Sequence, residues 1–184
     1  YTDNSSTKAT KAKYLPVTTV STNIKGWSTT TTVDPGRQLP LTVTDPNGRV
    51  TTETYDGLGR LTAVWLPNHT KAANASTPNE KFTYSVTQSA PSYVETQQYT
   101  DGGDYTASYE IYDGMLQLRQ SQSTPLNGGT GRVITDTAYD SHGWATAANA
   151  SYFNKDTSTP TGTLVTPVDA QVPSSTRTTY DGQG

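Results

Sequence analysis

Cysteine is absent from the 184 residues, which excludes disulfides and thiolate metal sites and leaves the redox compartment open. Long apolar runs are missing too: none approaches the about 18–20 residues of a membrane-spanning helix. No segment repeats its apolar residues at a helical period between caps, so almost no helix is expected. Charge is sparse, with 16% Lys, Arg, Asp and Glu, a net charge of −3 and no basic cluster. That argues against nucleic acid or an anionic membrane surface as partner. The hydrophobic fraction is 31%, against roughly 45–50% in ordinary soluble domains by a count that includes glycine, so the core should be thin. Tyr1 is neither an initiator Met nor the start of a signal segment, and the chain reads as a piece of a longer polypeptide.

What fills the composition is Thr, Ser, Asn and Gly, with twelve Tyr and three Trp set in alternating runs that suit strands. The run Tyr55-Asp56-Gly57-Leu58-Gly59-Arg60 stands between the extended stretches Val50-Thr51-Thr52-Glu53-Thr54 and Leu61-Thr62-Ala63-Val64-Trp65, and it reads as a hairpin turn. Asp56 is suited to fold its carboxylate onto turn N–H groups, Gly57 and Gly59 to take positive φ, and Arg60 to land opposite Tyr55. Asp34, Asp45 and Asp56 recur at an interval of eleven residues, which suits a meander of short hairpins and is too short for a crossover through a helix. Further copies stand at Tyr112-Asp113, where Leu116 and Gln117 replace the second Gly and the Arg, and at Tyr139-Asp140, where Gly143 is kept and Trp144 replaces Arg. A fourth begins at Tyr180-Asp181 and reaches Gly184. The Leu116 copy should therefore differ in turn geometry, or its strand should resume earlier.

The expected architecture is all-β: antiparallel hairpin repeats stacked into a curved strip of sheet, because a unit that cannot bury its own apolar face must stack on its neighbours. The chain, 1–184, is taken as one repeat segment with clear copies at 34–66, 105–123, 131–153 and 176–184, and loops at 67–80 and 154–173. On the strand after Asp56, Leu61, Ala63 and Trp65 should share one face, and Thr62 and Val64 the other.

Gly48-Arg49-Val50 followed by Tyr55-Asp56-Gly57-Leu58-Gly59-Arg60-Leu61-Thr62 resembles the repeat of the YD-repeat, or RHS-repeat, proteins. Gly131-Arg132-Val133 with Tyr139, Asp140 and Gly143 fits the same pattern, Tyr112-Asp113 fits in part, and Tyr180-Asp181 fits as far as the sequence runs. The resemblance implies a segment of a β-shell that in bacterial relatives encloses and delivers a C-terminal toxin or effector, and that in the related animal teneurins serves adhesion. It implies a secreted or cell-surface location, with flanking repeats and the C-terminal cargo of the same polypeptide as partners, and no cofactor. No stretch matches the family's self-cleaving region, so no catalytic aspartate is carried over.

Bare residue chemistry adds little. His69 and His142 are the only imidazoles; His142 follows Asp140 and Ser141, but neighbours on one turn do not reach the nucleophile–base–orienter geometry of a triad. The turn aspartates Asp34, Asp45, Asp56, Asp113, Asp140 and Asp181 offer calcium too few clustered oxygens, Asp101-Gly102-Gly103-Asp104 being the best local candidate. Trp27, Trp65 and Trp144 are assigned to the core rather than to a sugar-stacking platform. The sequons at Asn4, Asn68, Asn74 and Asn149 matter only in a eukaryotic secretory context. Three functions compete: a non-catalytic shell wall, a module whose loops 67–80 and 154–173 bind a cell-surface glycan or protein, and, last, an enzyme. Unpaired sheet edges should also favour self-association.

Overall fold

The structure, a computed structural model, describes residues 15–126, 128–155 and 159–182. The chain divides into two compact units, Tyr1–Lys81 and Phe82–Gly184. Twelve strands and one short 3-10 turn, Asp169–Gln171, make up the regular structure. The protein is all-β, and the strands pair antiparallel with their neighbours in sequence.

The first unit runs through β1 (Thr18–Thr22), β2 (Ser28–Val33), β3 (Pro40–Thr44), β4 (Val50–Tyr55) and β5 (Leu61–Trp65). β6 (Glu80–Ser85) begins in this unit and pairs with β5 through Ala63↔Lys81 and Val64↔Glu80. The registers place Thr18, Thr32, Thr42, Thr52 and Trp65 in one row across five strands. Threonine suits such a row because its branched Cβ fits the pleat while its hydroxyl finds a cross-strand partner. Thr32 and Thr42 share a hydroxyl hydrogen bond, as do Thr54 and Thr62 at 3.0 Å and Thr22 and Ser28 at 2.7 Å.

Apolar burial in this unit is small and lies at its far end, where Ala63 and Trp65 are buried. The loop at 66–79 closes over Trp65. The indole Nε1–H donates to Asn74 O at 2.8 Å, the Lys71 ammonium lies 4.8 Å from the ring centre, His69 Nε2–H donates to Thr77 O at 2.7 Å, and Asn79 Oδ1 accepts from Leu66 N at 2.7 Å. Of the three tryptophans assigned to the core, Trp65 is there, Trp144 is half-buried, and Trp27 is not: it is 58% exposed beside Lys25 at the β1–β2 turn.

The second unit continues with β7 (Ser92–Tyr99), β8 (Tyr105–Tyr112), β9 (Leu118–Ser123), β10 (Arg132–Tyr139), β11 (Ala145–Asn154) and β12 (Ser175–Arg177). Its strands reach ten residues, and its buried set is mixed. Ile111, Ile134 and Tyr152 are buried together with Gln120, Gln122, Arg132, Asp136 and Asn154. Buried polar groups persist where their hydrogen bonds are made inside, as they are for these five polar side chains, whereas the Tyr152 hydroxyl has no hydrogen-bond partner among the described residues. Arg132 Nε donates to Asn154 Oδ1 at 3.2 Å and its Nη1 to Gln122 Oε1 at 3.2 Å. Arg119 lies 3.5 Å from Asp136, whose other oxygen accepts from Asn149 Nδ2 at 3.3 Å. The loop expected at 154–173 supplies more partners: its stretch at 161–165 lies over Gln120 and Gln122.

Candidate functional site

The feature that recurs along both units is the turn. At Asp56 the carboxylate Oδ1 accepts from Leu58 N at 2.8 Å and Arg60 N at 2.9 Å, while Asp56 N donates to Arg60 O and Gly59 N to Asp56 O. Four donors and acceptors of a tight loop are thus satisfied by one residue and its own backbone. Asp45 holds Asn47 N and Arg49 N, both at 2.8 Å; Asp113 holds Met115 N and Gln117 N, both at 2.9 Å; and Asp140 holds His142 N and Trp144 N, both at 2.9 Å. The fourth residue takes a left-handed φ: 75° at Gly48, 81° at Gly59, 83° at Gly143 and 61° at Leu116. The Leu116 copy therefore keeps the same turn, contrary to expectation, because the Asp113 bonds hold the backbone even with a side chain where glycine is favoured.

Two other expectations about the turn change. Gly57 is not among the positive-φ residues; only the glycine at the fourth position performs that task. Arg60 does not face Tyr55, which pairs with Leu61, since the register shifts between Thr54 and Tyr55. The same one-residue bulge follows in the Asp113 and Asp140 turns, as expected of a type I turn closed by a left-handed residue. Arg60 instead reaches back, with Nε 2.7 Å from Asp56 Oδ2. The Arg60 N–H, first, and the guanidinium with its charge hold the Asp56 carboxyl below its ordinary range; at Asp140 the Trp144 N–H is the main cause.

Two turns escaped the sequence reading. Asn23 Oδ1 accepts from Lys25 N at 2.9 Å and Trp27 N at 3.0 Å, with Gly26 at φ 79°: the same turn with Asn leading. Its spacing from Asp34 repeats the eleven-residue interval, which was the available signal. Thr100 leads another, over Asp101-Gly102-Gly103-Asp104, with Gly103 at φ 88°. That stretch is a hairpin turn, and among the described residues no group of three His, Asp or Glu side chains is placed to hold a metal. The Asp34 turn is one residue longer, closing from Asp34 N to Leu39 O, and Gln38 carries the left-handed φ of 58°.

Turns two hairpins apart touch. Arg37 Nη1 donates to Asp56 O at 2.9 Å and its Nη2 to Gly57 O, while the Leu39 side chain would lie 3.2 Å from a Cβ added at Gly59. In the second unit Gln117 Nε2 donates to Gly143 O at 2.9 Å, and Met115 would lie 3.1 Å from a Cβ at that glycine. The motif tyrosines serve the same edge. Tyr139 Oη donates to Leu118 O at 3.1 Å and Tyr180 Oη to Ala145 O at 2.9 Å, each reaching the first strand residue after the preceding Asp turn. Tyr55 and Tyr112 donate instead to glutamates two residues earlier, Glu53 and Glu110, the latter at 2.7 Å. The Glu110 bond, then burial, pushes the Tyr112 hydroxyl up to about 12. Asp181 follows Tyr180 at an exposed position, and Gly184 lies outside the described residues.

No catalytic geometry assembles around the histidines. His142 Nδ1 lies 3.6 Å from Asp140 Oδ2, but the ring is exposed and stacks on Trp144 at 5.0 Å, which in turn meets Tyr180 at 5.1 Å. His69 is taken up by the loop over Trp65. A cavity of about 330 Å³ is lined by charged side chains, Arg119, Asp136, Asp169 and Arg177, alongside Ala138, Ala147, Pro167 and Val172, and Asp136 is already engaged by Arg119 and Asn149.

The geometry defines a class: an antiparallel meander whose hairpins are closed by a repeated Asx-led turn and stitched to one another along the sheet edge. The RHS Repeat family model matches residues 36–70, the stretch that holds the Asp45 and Asp56 turns and the Trp65 loop. Residues 36–70 thus read as an RHS repeat. It is similar to the solved structure of TcdB2-TccC3, with 16% identity and a TM-score of 0.60 over 78% of this chain and 9% of that one. None of the curated proteins compared matches.

Proposed function

We propose that this segment is wall: a non-catalytic stretch of a secreted or cell-surface RHS shell that encloses a C-terminal toxin or effector of the same polypeptide. The observation that carries this reading is the stitching of turn to turn, Arg37 onto the Asp56 turn and Gln117 onto the Asp140 turn. In each unit one turn is tied along the edge to the turn two hairpins on, in addition to the strand pairing. A container wall needs that property, and a binding module does not. In this reading flanking repeats of the same polypeptide continue the pairing at β1 and β12.

Surface recognition through the two long loops is the weaker reading. The backbone of the loop at 66–79 is held on Trp65, and the stretch at 161–165 is held by Gln120 and Gln122, so neither is presented outward as a free recognition loop. The test is negative-stain imaging with limited proteolysis of the full-length chain. A hollow particle that protects a C-terminal fragment supports containment. An extended chain digested throughout refutes it.

A further inference from the structure

Ala138 pairs with Ala147 across β10 and β11, and Ala147 pairs in turn with Arg177 of β12; the adjoining row on the same face is Asp136, Asn149 and Ser175. Residues two apart on a strand share a face. Two methyl side chains in one row leave space below the stretch at 167–172, which forms the opposite wall, and the cavity of about 330 Å³ is the result. That stretch is held on either side: Val165 N donates to Gln120 Oε1 at 2.9 Å, and Ala150 N donates to Ser174 O at 2.9 Å. Its 3-10 turn is closed by Val172 N donating to Asp169 O at 3.2 Å. The hollow is thus built into the fold, and it stands at the lower end of the about 300–1,000 Å³ range of small-molecule sites.

The four charges around it form two pairs of different standing. On the sheet, Arg119 Nη1 lies 3.5 Å from Asp136 Oδ1 and donates to Thr137 O, while Asp136 Oδ2 accepts from Asn149 Nδ2 at 3.3 Å. That pair is complete. Asp169 and Arg177 are exposed, line the same cavity and carry opposite charges, yet among the described residues neither side chain makes a hydrogen bond or an ion pair. A simple anion drawn to Arg177 would also meet Asp169, and a simple cation the reverse. A zwitterion meets each group with its opposite.

We propose that this cavity binds a small zwitterion, an α-amino acid with a short aliphatic side chain, its carboxylate on the Arg177 guanidinium, its ammonium on Asp169 and its side chain against Ala138, Ala147 and Val172. A guanidinium suits the carboxylate because its planar fork donates two parallel hydrogen bonds. Both charged groups are hydrated in the free protein, so binding gains only the excess over that hydration, and a dissociation constant on the order of 1 mM follows. No strand or loop has to be released for the ligand to enter.

The test is equilibrium dialysis of radiolabelled L-valine against the full chain carrying this segment. Unlabelled valine should compete, whereas 3-methylbutanoate, which lacks the ammonium, and 2-methylpropylamine, which lacks the carboxylate, should each compete at least about fivefold less well. Arg177→Gln and Asp169→Asn, at exposed positions without side-chain partners, should each weaken valine binding by at least about fivefold. Ala147→Leu fills the hollow and should weaken it about tenfold or more while the β circular dichroism is kept. Absence of saturable binding up to about 10 mM valine overturns the site. Binding that Arg177→Gln and Asp169→Asn both leave unchanged lies elsewhere on the chain and overturns it too. Equal competition by 3-methylbutanoate rejects the zwitterion as the ligand class. Should Ala147→Leu not fold, the competition series on the unaltered chain and the two exposed substitutions still decide.

Discussion

The two glycines of the Asp56 turn should respond to the same substitution with opposite signs. Replacing either with Ala restricts the unfolded chain equally, which stabilises by about 0.4–1 kcal/mol. At Gly57 nothing opposes that gain, since the residue is outside the positive-φ set and an added Cβ meets no atom within 4 Å. At Gly59 the left-handed φ of 81° costs an L-residue about 1–2 kcal/mol. The new Cβ also approaches Leu39 Cδ1 to 3.2 Å and Arg37 Cδ to 3.7 Å, so the packed edge must shift by a few tenths of an ångström. Gly57→Ala should therefore raise unfolding free energy by roughly 0.5 kcal/mol and Gly59→Ala lower it by roughly as much or more, a separation of about 1–2 kcal/mol. Because the unfolded-state effect cancels in the comparison, the separation isolates the turn geometry. Urea unfolding followed by fluorescence reads it, with buried Trp65 on the adjoining strand as reporter and linear extrapolation giving each free energy. Equal changes at the two sites, within the error of extrapolation, would show that the fourth position does not hold a left-handed residue, and the account of every other Asp turn would fall with it.

The Asp34 turn offers the reverse change: Gln38→Gly relieves a left-handed φ of 58° at an exposed site and should raise stability by about 0.5–1 kcal/mol in the same urea assay. Trp65→Ala should destabilise by about 3–5 kcal/mol, and limited proteolysis should then cut within 66–79, whose Asn74 carbonyl loses its indole donor. At acid pH the sign is set by Asp56 and Asp140, whose folded pKa values lie below 3.8. Their contribution is present above that value and lost as pH falls through the folded pKa, so Asp56→Asn should flatten the acid limb of a Tm-against-pH curve. Tyr112 sets an alkaline limb: its pKa, raised from 10.0 to about 12, gives a contribution lost as pH rises through that interval, and Tyr112→Phe should remove that part of the slope.

Much of the turn was legible because its causes are local. Asp at the first position and Gly at the fourth fix the loop without help from the rest of the chain, so the spacing of Asp34, Asp45 and Asp56 gave the meander directly. Gly57 misled because two glycines flanking Leu58 look equivalent in one dimension, whereas only the fourth position turns left-handed. Leu116 misled in the opposite direction: preference is not necessity, and two carboxylate bonds from Asp113 hold a backbone that leucine alone would avoid. Arg37 and Gln117 were invisible as edge ties, because their partners lie two hairpins on, and only the register of the intervening strands brings them within reach. Gln120, Gln122 and Arg132 were hidden for a different reason. Alternating glutamines on a strand read as solvent-facing polarity until a later stretch of chain is seen to cover them.

That last point bears on how one repeat serves strands of different length. In the first unit five- and six-residue strands joined by eleven-residue spacing need little cover: a threonine row satisfies the faces, and one loop over Trp65 closes the end. In the second unit strands lengthen to eight and ten residues while the Asp turn is unchanged. Between these longer strands, six-residue β9 turns Gln120 and Gln122 inward, and their amides must find partners there. Aliphatic residues are too few to fill the buried layer, so it is built from amides and a guanidinium instead. Buried amides are costly unless paired, and the backbone at 161–165 supplies the partners of Gln120 and Gln122. The stretch between β11 and β12 is thus neither decoration nor spacer: it is the cover that the polar core of this unit requires. Removing it without replacement should leave Gln120 and Gln122 buried and unpaired, a more damaging change than deleting an exposed loop of the same length.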